Sequence, residues 1–169
     1  MRTRLSITSV VALLSAGPMM SFPVNEAKAD VAVPSRRNVA EYNLTANVGL
    51  KGFDPVSYFA EGGGVPLMGD SKIRLDYEGV IYFFANEDNL RTFEATPARY
   101  EPTYGGWCAY AMSFGSKVDI KPAFYSIHGN RIHFFVNRRA KQNFDADVKG
   151  HEDRADGFWN QISGEEPRR

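Results

Sequence analysis

The chain has 169 residues, with 20 Lys and Arg against 20 Asp and Glu, three His and one Cys. Zero formal charge excludes the strongly basic balance of a nucleic-acid binder, and a single cysteine excludes an internal disulfide framework. At 43% hydrophobic and 13% aromatic, the chain holds enough apolar material for one domain with a core of its own.

Arg2 and Arg4 precede an apolar run from Leu5 to Ala16, and Ala27-Lys28-Ala29 offers the small residues of a cleavage site. Polar residues interrupt the run, which falls short of the roughly 20 residues needed to cross a bilayer. Residues 1–29 therefore read as a cleaved signal peptide, and the product as periplasmic or secreted, with no stable membrane span after cleavage near Ala29. No cysteine follows the run to take a lipid, and no Arg-Arg pair precedes it. The remainder, from Asp30, carries 17 basic and 19 acidic residues, a net charge near −2.

Residues 30–46 read as a polar tail or peripheral helix, residues 47–163 as a single domain, and residues 164–169 as a frayed end. Asp54-Pro55 suits a helix start, with Asp as cap and Pro at the first position, and Gly62-Gly63-Gly64 stops it. Two similar stretches follow, Arg74–Tyr100 and Ala123–Asp147. Phe83-Phe84, Asn86 and Phe93 in the first match Phe134-Phe135, Asn137 and Phe144 in the second at a constant offset of 51 residues. Each reads as strand, Gly-containing turn, strand, Asn cap and helix. A final helix is expected from about His151 to Ile162, with Ala155, Phe158, Trp159 and Ile162 on one face. The expected fold class is α+β: two ββα units, a quasi-repeat, around a shared aromatic core, with peripheral helices.

The segments "GFDPVSYF", "YEGVIYFFANEDNLRTFEATPARY" and "YGGWCAYAM" resemble the YHS-domain family over roughly residues 49–144. The likeness is to its exported, longer branch, which carries DPVxYF and YGGxCA segments. Compact relatives, akin to the TRASH metal-binding domains, hold a metal through cysteines. The resemblance places three of those ligand positions at Ser57, Ala85 and Asn89, so the thiolates are missing here. It implies the fold and an exported binding module, and no defined activity.

Any metal site would need other donors. Cys108, Met112, His128 and His133 form a candidate set for copper or zinc, because thiolate and thioether suit Cu(I) and imidazole suits both. A two-residue loop at Gly129-Asn130 would set Ser126 opposite His133 and His128 opposite Arg131, making the imidazoles diagonal neighbours roughly 6–8 Å apart. The repeat aligns His133 with Tyr82, which gives it a second reading as a hydrogen-bonded core residue. His128 reads as an exposed turn residue and His151 as a surface residue.

Tyr104-Gly105-Gly106 predicts positive φ or backbone packed against something bulky. Cys108 would follow near a helix start, where amide dipoles favour thiolate; its other reading is a small buried hydrophobe. Tyr104, Trp107, Cys108 and Tyr110 are the candidate ligand-binding residues. Arg131, Arg138, Arg139 and Lys141 read as a solvated basic face. The leading expectation is a non-enzymatic binding module for a soft metal ion or small ligand near Cys108. The alternatives are a thiol-dependent enzyme with Cys108 as nucleophile and His128 or His133 as base, and a structural or interaction protein with no small-molecule site.

Overall fold

The structure, a computed structural model, describes residues 38–168; the expected signal peptide and Arg169 lie outside the described residues. Two hairpins organise it. Strands β1 (Asp70–Tyr77) and β2 (Val80–Phe84) pair antiparallel, with Tyr77 opposite Val80 and Leu75 opposite Tyr82. The connecting pair Glu78-Gly79 has φ of 48° and 84°, the mirror-image turn whose twist matches that of paired strands. Strands β3 (Tyr125–His128) and β4 (Arg131–Phe134) pair with Ser126 opposite His133 and His128 opposite Arg131, the register expected for a Gly129-Asn130 loop.

A short helix follows each hairpin. Asn86 caps α1 (Glu87–Ala95) by accepting the Asn89 amide, and Asn137 caps α4 (Arg138–Ala146) by accepting the Ala140 amide. Each helix drives one phenylalanine inward. Phe93 packs on Tyr82 and Phe84 at 5.0 and 5.3 Å between centroids, and Phe144 on His133 and Phe135 at 4.9 and 5.3 Å. Neither phenylalanine is exposed, and truncating a ring of this kind typically costs about 3–5 kcal/mol. The class is α+β, with two antiparallel two-stranded sheets and five helices among the described residues.

Irregular chain covers the free edge of the second strand in each hairpin, which keeps those backbone groups from open pairing. Val48 bridges Ile81 of β2, while Pro102 and Cys108 bridge Ile132 and Phe134 of β4. Between those two bridges, Thr103 donates to the Ile132 carbonyl through both its amide and its hydroxyl. Two short helices flank this stretch, α2 (Pro97–Tyr100) and α3 (Ala109–Met112).

The last helix, α5 (Val148–Ser163), starts three residues earlier than expected because Asp147 caps it through the Gly150 amide. Its inward stripe is His151, Ala155, Trp159 and Ser163. Phe158 falls off that stripe and stays exposed, which corrects the expected apolar face. His151 is likewise not a surface residue. It is 8% exposed, stacks on Phe144 at 5.6 Å, and its Nδ1 lies 2.8 Å from the Ser113 hydroxyl.

The frayed end expected at 164–169 is also corrected over residues 164–168. Glu165 and Pro167 are buried, and the Arg168 amide reaches the Thr103 carbonyl. No helix among the described residues is long and apolar enough to cross a membrane.

Candidate functional site

Arg131 and His133 alternate along β4 and so project from the same face of the strand. Glu152 and Asp156 sit one turn apart on α5, also on a common face. The fold sets these faces against each other. The Arg131 guanidinium holds Asp156 with two nitrogens, Nη2 at 2.5 Å from Oδ1 and Nη1 at 3.2 Å from Oδ2. Its Nη1 also lies 3.5 Å from Glu152 Oε2. His133 Nε2 lies 2.8 Å from Glu152 Oε1, and the Tyr104 hydroxyl donates to Asp156 Oδ1 over 2.8 Å.

A cleft of about 410 Å³ opens beside this network, lined by His128, Gly129, Asn130, Arg131, Glu152, Asp153 and Asp156. On its flank His128 Nε2 meets Asp145 Oδ1 at 3.0 Å, and the same oxygen accepts from the Ser126 hydroxyl at 2.7 Å. The two imidazole centroids are 6.0 Å apart, as the hairpin register required.

The charges are shaped by burial and by each other. Burial pushes the His133 imidazole below its ordinary value against the opposing pull of Glu152. Glu152 is drawn down despite its own burial, by the His133 hydrogen bond and the Arg131 charge. With an ionised carboxylate at Nε2, the neutral imidazole carries its proton there, and Nδ1 is buried without a hydrogen-bond partner. Burial raises the Tyr104 phenol well above its usual range; Arg131 opposes this and Asp156 reinforces it. Tyr104 therefore stays a donor and Asp156 an acceptor. Ser126, the hydroxyl nearest the histidines along the strand, donates to Asp145, so the arrangement is one of fixed charges around a cleft rather than a nucleophile beside its base.

The sulfur-centred set does not form. Cys108 stands at the start of α3 as expected but is 0% exposed, a free thiol inside the hydrophobic core with Met112 and Ala109. Among the described residues no group of three or more His, Cys, Asp and Glu side chains is placed to hold a metal ion. Cys108, Met112, His128 and His133 thus do not converge: β4 turns His133 toward Glu152 of α5, while the Cys108 backbone bridges to Phe134 and its side chain is buried in the core.

The expected pocket of Tyr104, Trp107, Cys108 and Tyr110 is dispersed too. Tyr104 backs the cleft through Asp156. The Trp107 indole donates to the Glu41 carbonyl, with the Lys117 ammonium 5.5 Å from its ring. Tyr110 packs on His151 and Phe114. The basic face is divided as well: Arg138 and Arg139 are exposed, but Arg131 and Lys141 are committed to carboxylates.

Glu152 and Asp156 were missed from sequence. The available signal was two basic side chains, an arginine and a histidine, at alternate strand positions matched by two carboxylates four apart on a helix.

A second polar centre is wholly internal. Asp54 is 0% exposed. Its Oδ1 accepts from the amides of Val56 and Ser57, and its Oδ2 from the Ala85 amide and the Asn89 side-chain amide. Ser57 from the turn after Asp54, Ala85 just past β2 and Asn89 in α1 meet around this one carboxylate.

No protein-family model, no curated protein and no solved structure matches this chain.

Proposed function

We propose that the chain is an exported YHS-type domain acting as a non-catalytic binding module. Its ligand is a small polar molecule bearing a cationic or strongly hydrogen-bond-donating group, taken at the cleft between the β3–β4 turn and α5. One observation carries this reading: a partly buried ionic network, Arg131, Asp156, Tyr104, Glu152 and His133, stands at the wall of that cleft. Desolvated charges stabilise a fold less than well-packed apolar side chains do, and perturbed groups gathered at a concavity are a mark of a binding surface. Three cleft carboxylates, Glu152, Asp153 and Asp156, outnumber the two cations that reach them, Arg131 and the Lys149 paired with Asp153, so the wall keeps an excess of negative charge.

The family part of the reading rests on the DPVSYF, YEGVIYFF and YGGWCA segments. It is supported by the meeting of Ser57, Ala85 and Asn89 at Asp54, since these are the three positions that the resemblance assigns to one ligand set. The thiol-dependent enzyme loses its support because Cys108 is sealed in the core.

The test is an amide-resolved NMR titration of residues 30–169 with small amines, guanidines, polyols and carboxylates. Amines or guanidines should move the resonances of Gly129, Asn130 and Asp153, and Asp153→Asn should weaken binding about tenfold, the loss of one charged contact. Shifts elsewhere, or none, overturn the assignment. The second reading, an interaction unit with no small-molecule site, is favoured by Met68 and Phe114, each 60% exposed; it predicts a silent titration.

A further inference from the structure

The first hairpin has one covered edge and one open one. The Ile81 amide of β2 donates to the Asn47 carbonyl at 2.8 Å, so Ile81 turns its backbone groups away from β1. Asp76, directly opposite Ile81, therefore points its own amide and carbonyl out of the other side of the hairpin, and by alternation so does Arg74. No backbone group among the described residues bonds to Arg74 or Asp76 there.

The first half of β1 is blunted against pairing. A bulge lies between Asp70 and Arg74, and the Lys72 amide is taken by the Asp70 carboxylate at 2.9 Å. Residues 73–77 stay in regular register with β2. There the Arg74 and Asp76 side chains are exposed, while Ile73 and Leu75 are half-buried. Among the described residues Arg74 forms no ion pair, and Asp76 accepts the Gly79 amide through Oδ1 alone. An open strand edge of this kind is a template for another strand.

We propose that this edge is an interface between two copies of the chain. Residues 73–77 pair antiparallel with the same residues of a second copy about a twofold axis at Leu75, which joins two hairpins into one four-stranded sheet. The charges choose both the partner and the register. An axis at Leu75 sets Arg74 opposite Asp76 of the second copy and Asp76 opposite its Arg74, two attractive pairs on one face. An axis at Ile73 sets Asp70 against Asp76 and Lys72 against Arg74, like on like. An axis at Arg74 or Asp76 sets that residue against itself. On the other face Leu75 meets Leu75. A single strand pair is a small contact, so the dimer is transient. The far edge of β2 already carries Asn47 and Val48, so assembly closes at two copies. The interface uses no residue of the cleft and is independent of the function proposed there.

Disulfide trapping tests it. In the full chain, the Leu75→Cys and Ile73→Cys variants are oxidised with diamide at rising protein concentration and compared on non-reducing gels; Cys108 is sealed in both. Across the proposed axis the two positions 75 lie about 4.5 Å apart between Cα atoms, within disulfide reach. The two positions 73 lie about 13 Å apart, beyond it. Leu75→Cys should crosslink and Ile73→Cys should not. On the Leu75→Cys background, adding Arg74→Asp or Asp76→Arg sets like charges opposite each other and should cut the crosslinked fraction about tenfold below saturation. Mixing those two proteins should restore it, since an acidic edge then meets a basic one.

Equal trapping at both positions, or charge variants that trap as well as their parent, overturns the proposal. So does the absence of trapping, which leaves the edge to a different chain. If the cysteine variants do not fold, sedimentation velocity of Arg74→Asp and Asp76→Arg, both at exposed positions, decides. Each alone should be monomeric where wild type and the mixture are dimeric, and any other pattern sinks the idea.

Discussion

Asn89 Nδ2 donates to Asp54 Oδ2 across 2.6 Å, joining α1 to a loop 35 residues earlier. The same oxygen takes the Ala85 amide, and its partner oxygen the amides of Val56 and Ser57. One carboxylate thus ties the loop, the end of β2 and the start of α1 together. Asp54→Ala removes the side-chain acceptor shared by four donors, the Val56, Ser57 and Ala85 amides and the Asn89 side chain, and should cost about 3–5 kcal/mol. Urea denaturation should show a lowered midpoint with an unchanged slope; a midpoint near wild type would mean that water replaces the carboxylate without loss.

Acid should destabilise the domain through its buried imidazoles. Burial lowers the values of His133 and His151 in the folded state from the ordinary 6.5, with Glu152 opposing at His133 and Arg154 adding to the effect at His151. The unfolded chain therefore binds these protons first as pH falls. Stability is complete above about 6.5 and declines on acidification from there toward the lowered folded values. Glu152 and Asp145, drawn down by His133 and Arg131 and by Lys141 and Ser126 respectively, add a separate loss below the usual carboxylate range. Urea midpoints compared at pH 7.5 and 5.5 should fall in wild type and fall less in His133→Gln. A pH-independent midpoint would contradict the linkage.

Cys108 should behave as a packing residue. With no exposure, its thiol should stay inert to an alkylating probe until the domain unfolds, and Cys108→Ala should cost about 1–2 kcal/mol for a small cavity. Rapid alkylation of the native protein would place the sulfur at an opening and revive the nucleophile reading.

Gly105 has φ of +58°, and a Cβ there would lie 2.6 Å from Trp159 Cη2 and 3.1 Å from the Tyr42 ring. Both readings of the glycine pair hold at this position: the backbone needs the left-handed region and is pressed against bulk. Gly105→Ala combines a disfavoured conformation with overpacking and should cost about 2–4 kcal/mol. A melting temperature within a degree of wild type would show that Trp159 can move aside.

Much of the fold was legible because it is local. The Asn86 and Asn137 caps, the two-residue loop at Gly129-Asn130, and the resulting facing of Ser126 with His133 follow from backbone rules that act over a few residues. The α5 stripe was harder to read. Phe158 and Trp159 are adjacent and both apolar, and periodicity alone admitted both, whereas packing against Tyr42 and Gly105 selected Trp159. His151 looked like surface because a histidine at a helix start usually is. It is buried because Phe144 of α4 offers a ring to stack on, a partner that no local pattern announces.

By itself, then, the sequence determined the α+β class, the two hairpin-and-helix stretches and their caps, and the short distance between His128 and His133, all consequences of hydrogen bonding and sterics between near neighbours. Tertiary structure alone decided which charges meet. It set Arg131 and His133 against Asp156 and Glu152, gathered Ser57, Ala85 and Asn89 onto Asp54, and enclosed Cys108 beside Phe134. Such pairings depend on how β4, α5 and the loop before β1 lie across one another, and the energy that fixes that arrangement comes from burying apolar surface, which is not directional and leaves no residue-by-residue pattern to read.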